Sequence, residues 1–592
     1  MRCNEKNLQQ LMNDIENGKI QLPDFQRDWV WDDYRIKALI ASIISNFPIG
    51  AAMFLEYGNP EIMFKYREIA NAPVTKTIPS ELVLDGQQRL TSIYNAMYQK
   101  GPVKTITDKK KSITRFYYLD IAFLSNPDND TIDGIISIPE NKLITENFGK
   151  EIKTDLSTQE REFALHMYPV NLIFDTIGTQ QWQQGYTQYH KFDAEVVNRY
   201  YTFYNNIIAK MLQYSFPVIT LDKETPREAV CQVFEQVNTG GVSLTVFELV
   251  TAIFAMDSFR LREDWQNRKD KYFDDEVLNI VTESDFLLAV TLISNYHRFR
   301  DTGKAVSCKK KDVLKLSLDE YQQYADVVSN GFVIACKLLN EERIFSSRDL
   351  PYSTQLIPLA VLCALLDKEM KTSTVKEKIK RWYWCGVMGE LYGSANETRY
   401  VNDVVGVMDW IQADKDEPKT IKECYFNPVR LLGLQTRLSA AYKGIMALIL
   451  KNGCKDFISG EDMDFTVYKK DSIDIHHIFP QDYCTKQGYP KEKWNSIINK
   501  TPITYSTNRE IGGVSPSAYI KKIEDKNQVH PDNLDIYLSS HLISTEDIRS
   551  DNFDSYFIKR AAKILDLIGS ATGKPITNRN SDEIITEFGS EL

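Results

Sequence analysis

Two of the chain's seven histidines stand side by side in IDIHHIFPQ, residues 473–481, and IINKTPITYSTNREIGG follows at residues 497–513. Alternation along a strand puts Asp474 and His476 on one face and Ile473 and Ile475 on the other. His477 then points away from His476 unless the backbone kinks, which nearby Pro480 encourages. Asn499 comes later, and Asn508 lies just after Ser506-Thr507, a pair that can cap a short helix. A β-hairpin followed by a helix is expected to gather His476, His477, Asn499 and Asn508 around one point. A neutral imidazole is suited to taking a proton from water near pH 7. A second imidazole with an amide or carboxylate oxygen can hold one divalent ion, which steadies phosphoryl charge and a leaving oxygen. The set therefore suits metal-assisted phosphodiester cleavage, with Asn499 fixing the loop that orients the base.

A second constellation lies near the start of the chain, in LPDFQRDWVW (22–31), LVLDGQQRLTSIYNAM (82–97) and VFEQVNTGGVSLTVFELVTAIFA (233–255). In the middle segment a strand ends at Asp85-Gly86 and hands over to a helix starting near Gln87. Backbone N–H groups at a helix start attract anions, and Arg89 adds a cation in the first turn. Asp85 can coordinate a metal or hydrogen-bond a ribose; Gln87 and Gln88 can donate to phosphate or position water. In the third segment Asn238-Thr239-Gly240-Gly241 breaks a helix with an anion-friendly turn. No Walker A or GxGxxG pattern is present, so neither a P-loop nor a Rossmann site is supported. Trp29 and Trp31 read as core before base stacking.

The elements that must carry these residues follow from periodicity. Residues 1 to about 245 read as mixed α/β. Ile36, Leu39, Ile40, Ile43, Ile44 and Phe47 fall on one helix face, which Pro48 stops; Leu90, Ile93, Tyr94 and Met97 repeat the spacing. Strands are expected at 51–55, 81–84, 115–121 and 217–221, with a polar, aromatic-rich helical insertion at about 125–215. Residues 246–455 read as helical throughout, with examples at 286–296, 321–339, 356–366, 376–392 and 437–450. Residues 456–592 change character and close with a helix around 557–567. The aromatics of 182–204 and 382–392 read as core stripes. The expected fold class is a multidomain α/β plus all-α chain.

Composition bounds the partners. The chain has 592 residues, 43% hydrophobic and 26% charged, an ordinary globular balance. Its net charge of −10 argues against a wholesale nucleic-acid coat but leaves room for a local basic groove. Residues 469–526 hold ten basic and seven acidic side chains, a local inversion of sign consistent with phosphate contact. Nine scattered cysteines form no CxxC pair, which argues against a disulfide framework or a cysteine zinc site and fits a reducing cytoplasm. No targeting segment or membrane span is read.

The C-terminal segments, with HH-I-x-P, N-K and S-x-N-R in order, resemble the HNH, or ββα-metal, nuclease motif. That resemblance implies His477 as general base, His476 and Asn508 as metal ligands, Asn499 as the structural asparagine, and Asp474 as a third ligand or a support. The metal implied is divalent, Mg²⁺ or Mn²⁺. The third family position is often histidine, and here it is Asn508. The three N-terminal segments together resemble the ParB/sulfiredoxin-like domain of GmrSD-type, modification-dependent (Type IV) restriction endonucleases. That resemblance implies a nucleoside triphosphate (GTP, UTP, CTP or ATP) at Asp85, Gly86, Gln87, Gln88 and Arg89, with Gln26, Arg27 and Asn238 nearby. The function expected is NTP-regulated, metal-dependent cleavage of modified foreign DNA by a cytoplasmic prokaryotic defence protein, with a homo-oligomer compatible. The alternative is an NTP-binding, DNA-binding module whose HNH remnant is inactive.

Overall fold

Short apolar runs separated by polar turns build the first half of the chain into strands. In the computed structural model these are β1 (Arg2–Asn7), β2 (Ile20–Pro23), β3 (Ala52–Glu56), β4 (Tyr66–Arg67), β5 (Glu81–Asp85), β6 (Val103–Ile106), β7 (Ser112–Asp120), β8 (Ile135–Pro139), β9 (Leu143–Glu146), β10 (Glu151–Asp155), β11 (Met167–Pro169) and β12 (Ser215–Leu221). The structure describes residues 2–592 except 25, 27, 60–63, 108–110, 127, 147–150, 227–228, 231–232, 234–244, 395, 414 and 471–472. The chain divides into two compact units, Met1–Arg260 and Leu261–Leu592. The expected 246–455 segment thus straddles the division: the helix Val246–Phe254 belongs to the first unit, and 456–592 lies within the second.

The first unit is built on a mixed six-stranded sheet in the order β1-β12-β3-β5-β2-β4. Pairs β12/β3 and β2/β5 are parallel, and β1/β12, β3/β5 and β2/β4 are antiparallel. Central strands β3 and β5 read AMFLE and ELVLD, near-continuous apolar runs that suit strands covered on both faces. The helix Asp33–Ile44 is capped by Asp32, whose side chain accepts from the Arg35 N–H, and it buries Ile36, Leu39, Ile40, Ile43 and Ile44. Phe47 does not join that face. The helix ends at Ile44, Asn46 turns to a left-handed φ of 54°, and Phe47 is exposed.

Residues 125–215, expected to be helical, divide instead. Strands β8 to β10 come first, then the short helix Gln159–Ala164 and β11, and after them the helices Thr176–Tyr189 and Ala194–Phe203. The reason is tertiary: β7 offers β8 a five-residue antiparallel register, Arg115↔Pro139 to Leu119↔Ile135, burying Ile135 and Ile138. Trp182, Tyr186, Tyr200 and Phe203 are buried together, with Trp182 and Tyr186 stacked at 5.0 Å. Trp29 and Trp31 pack at the core's edge, as expected.

The second unit is mainly helical, and each expected helix is found, including Glu283–Thr302, Leu318–Glu341, Ser353–Leu366, Ser373–Met388 and Ala440–Lys451. Trp382, Tyr383 and Trp384 are fully buried core. No helix among the described residues is long and apolar enough to cross a membrane. Against these helices sits one two-stranded antiparallel ribbon, β13 (Ile473–His477) with β14 (Lys500–Thr504), followed by the helix Tyr505–Ile511.

Candidate active site

The ribbon's register sets the site. β13 and β14 pair from Ile473↔Thr504 to His477↔Lys500. The following helix is capped by Thr504, whose hydroxyl accepts from the Thr507 N–H at 3.3 Å, rather than by Ser506-Thr507. That helix carries Asn508 over the face of β13 that bears Asp474 and His476. The Asn508 amide donates from Nδ2 to Asp474 Oδ2 at 2.7 Å, and its Oδ1 lies 2.9 Å from His476 Nδ1. Because the amide's nitrogen is spent on Asp474, its oxygen must accept, so His476 carries its proton on Nδ1. Nε2 then presents a lone pair, and it is buried without a hydrogen-bond partner. Burial is the main reason the His476 pKa is pushed down to about 4; the Asn508 bond opposes it and His477 reinforces it. His476 is therefore neutral at pH 7.

The donor types, one carboxylate, one amide oxygen and one neutral imidazole, are a mixed O/N set of the kind Mg²⁺ or Mn²⁺ accepts with water in the remaining positions. As bonded here the His476 Nε2 lone pair points away from Asn508, so the three would share an ion only once the imidazole gives up its Asn508 bond. Among the described residues no three His, Cys, Asp or Glu side chains gather. Arg437 Nη2 stands 3.7 Å from Asp474 Oδ1 on the outer side.

His477 does not share that point. Its Nε2 lies 3.3 Å from Asn495 Oδ1, and Asn495 Nδ2 in turn donates to Gln435 Oε1 at 3.4 Å. The same reasoning applies along this chain of amides: Asn495 presents an acceptor, so His477 carries its proton on Nε2 and keeps the Nδ1 lone pair. Burial first, and the Lys500 charge, lower the His477 pKa, while Asn495 raises it. Lys500, directly across the ribbon, donates to the Gln435 carbonyl at 2.6 Å, and burial pushes its pKa down to about 8. Asn499 sits in the core below. It accepts from the Phe479 N–H at 2.9 Å and donates to the carbonyls of Phe479 and Trp494, both at 2.8 Å. It thus clamps the turn that follows His477.

The ribbon and helix therefore bring Asp474, His476 and Asn508 together, while His477 faces Asn495 and Asn499 serves the backbone. Sequence reasoning missed Asn495 and Gln435. Asn495 had a faint signal, being polar and close before Asn499; Gln435 comes from a distant loop and had none.

In the first unit β5 ends at Asp85, Gly86 takes a φ of 90°, and the helix Gln87–Ile93 begins as expected. Gly86 is required there: a Cβ would stand 3.1 Å from that of Ala52. Arg89 spends its guanidinium on the carbonyls of Ile49 (2.5 Å) and Ala51 (2.9 Å) and on Asp85 Oδ2 (3.2 Å). Gln88 donates to the Asp28 carbonyl at 3.2 Å and accepts from the Val30 N–H at 3.0 Å. Gln26 donates to the Val83 and Leu84 carbonyls, and its buried Oε1 has no partner. Gln87 is buried. Gln26, Asp85, Gln88 and Arg89 thus meet where residues 26 and 28–30, the start of β3 and the end of β5 come together. Arg27 and Asn238–Gly241 lie outside the described residues.

Residues 8–255 match the family described as the GmrSD restriction endonuclease, N-terminal domain. Over that segment the chain is similar to those enzymes, and the segment coincides with nearly all of the first unit. The chain is also 27% identical over 542 residues to an uncharacterised protein of Methanocaldococcus jannaschii, covering 88% of this chain and 87% of that protein.

Proposed function

We propose that this chain is a divalent-metal-dependent DNA endonuclease of the restriction type, acting on modified foreign DNA in prokaryotic defence and regulated by a nucleoside triphosphate at the Asp85–Arg89 turn. The observation that carries the reading is the hydrogen-bonded cluster of Asp474, Asn508 and the neutral imidazole of His476 next to a second histidine, on an antiparallel ribbon followed by a helix. The likeness of residues 8–255 to GmrSD restriction endonucleases supports DNA as the substrate and restriction as the role.

Asp474, Asn508 and His476 would hold the ion, which supplies positive charge to the phosphoryl group and the leaving oxygen. His477 takes the proton of the attacking water at Nδ1; its depressed pKa keeps it neutral, with a lone pair free to accept, at pH 7. Asn495, held by Gln435, keeps the Nε2–H occupied and so aims Nδ1 outward. Asn499 fixes the turn through Phe479. In the first unit Asp85 is the carboxylate at the turn, while Arg89, Gln88 and Gln26 hold the surrounding backbone in shape.

The test compares cleavage of modified and plain DNA with Mg²⁺ or Mn²⁺, with and without NTP, for wild type, His477→Ala and Asp85→Ala. Metal-dependent cutting that His477→Ala abolishes, and NTP turnover that survives in that variant, is the expected result. Persistent cutting by His477→Ala sinks the assignment of the base; loss of NTP response in Asp85→Ala with cutting intact supports the first-unit site.

A further inference from the structure

Against the ribbon, at Ile473 and Ile475, the second unit encloses a cavity of about 220 Å³ whose lining also includes Arg437, the arginine beside Asp474. Ile473 and Ile475 of β13 form one wall, and Met446, Ala447 and Leu450 of the helix Ala440–Lys451 form the floor. Phe345, Tyr442 and Tyr468 supply aromatic walls, with the Phe345 and Tyr468 rings 5.5 Å apart. The rest of the lining is strongly basic. Lys469 is paired with Glu276, and Lys443 donates to the Leu350 carbonyl at 3.1 Å. Arg343 and Arg348, by contrast, form no ion pair with a described residue, and Arg348 is exposed at the rim. One lining carboxylate, Asp349, accepts from the Ser346 hydroxyl at 2.7 Å and lies within charge range of Lys443.

This combination has a specific chemical reading. Guanidinium groups recognise phosphate through paired N–H donors. An apolar floor with aromatic walls takes a planar ring. A carboxylate beside them accepts from a hydroxyl or an exocyclic amine. A simple inorganic anion would leave the apolar floor unused, and an apolar ligand would leave Arg343 and Arg348 without a bonded partner. We infer that this cavity is a nucleotide-binding site, separate from the Asp85–Arg89 turn and from the Asp474–Asn508 cluster: ring against Met446 and Tyr442, phosphate on Arg343 and Arg348. The nucleotide is either free or one unit of a nucleic-acid strand.

The full-length protein is titrated calorimetrically with AMP, ATP, a short single-stranded oligonucleotide and inorganic phosphate. Arg348→Glu reverses a rim charge at an exposed position, and Ala447→Met fills the floor; thermal melting confirms that each folds. Arg437 is left untouched because it neighbours Asp474. Binding of AMP or ATP that weakens at least tenfold in both variants and persists in Asp85→Ala supports a free-nucleotide site. Binding of the oligonucleotide alone with the same dependence supports a strand-borne nucleotide. Nucleotide binding indifferent to Arg348→Glu and Ala447→Met overturns the inference, as does inorganic phosphate binding as tightly as AMP.

Discussion

His541 tests the scaffold behind the site, because its ring holds β14 in place. It is fully buried, with Nδ1 2.7 Å from the Thr501 hydroxyl and Nε2 2.8 Å from the Lys455 carbonyl. The carbonyl can only accept, so Nε2 carries the proton and Nδ1 accepts from Thr501, the residue paired with His476 across the ribbon. Burial pushes the His541 pKa from 6.5 down to about 3, and the nearby Arg560 charge adds to the shift. A depressed folded pKa means the unfolded chain binds the proton more readily, so its stability contribution is present above pH 6.5 and lost as pH falls toward 3. Each pH unit in that window costs about 1.4 kcal/mol, so acidifying from pH 8 to pH 5 costs about 2 kcal/mol through this residue. His541→Gln keeps a donor for Lys455 and an acceptor for Thr501 but cannot titrate. Hydrogen exchange of the β14 amides in increasing urea, at pH 8 and pH 5, measures the local opening energy in both proteins. The variant is expected to lose about 2 kcal/mol less than wild type between those pH values. Other histidines, His476 among them, contribute to both and cancel in the difference. Equal pH dependence in the two proteins refutes the neutral, buried assignment.

Three further outcomes are expected. Asn499→Ala leaves the Phe479 N–H and two carbonyls without their buried partner, and chemical denaturation should show a loss of about 3–5 kcal/mol. Asn495→Ala removes one neutral hydrogen bond from His477, worth about 1 kcal/mol; cleavage should slow roughly fivefold. The acid limb of its pH profile should also move to lower pH, because Asn495 favours the protonated ring. Gly86→Ala forces a side chain into a left-handed turn against Ala52, and unfolding of the first unit should show about 1–3 kcal/mol lost.

Much of this was legible in the residues themselves. The alternation of Ile473, Asp474, Ile475 and His476 reports which side chains share a face before any fold is known, because the side-chain period of a strand is two. The strand ending at Asp85 and the helix starting at Gln87 are equally local, since Gly86 marks the only left-handed position between them. The helices of the second unit repeat apolar residues at helical spacing and were found where expected. Phe47 was misread because a helical period continued past the residue, Asn46, whose backbone ends it.

The sequence alone determined that two histidines, two asparagines and an aspartate lie close along one stretch of chain, and that a D-G turn joins a strand to a helix. Tertiary structure decided what each of them touches. Asn508 meets both Asp474 and His476 because a helix crosses the ribbon, and His477 turns to Asn495 and the distant Gln435 because neighbouring strand residues face opposite ways. Strands β8 to β11 replace an expected helical stretch because β7 offers a partner that no local period records. Arg89 and Gln88, whose residue types suit phosphate, also bond the carbonyls of Ile49, Ala51 and Asp28 within the fold, and Arg89 bonds the Asp85 carboxylate. Hydrogen-bond partners are set by long-range packing, and residue type and spacing carry only the capacity to make them.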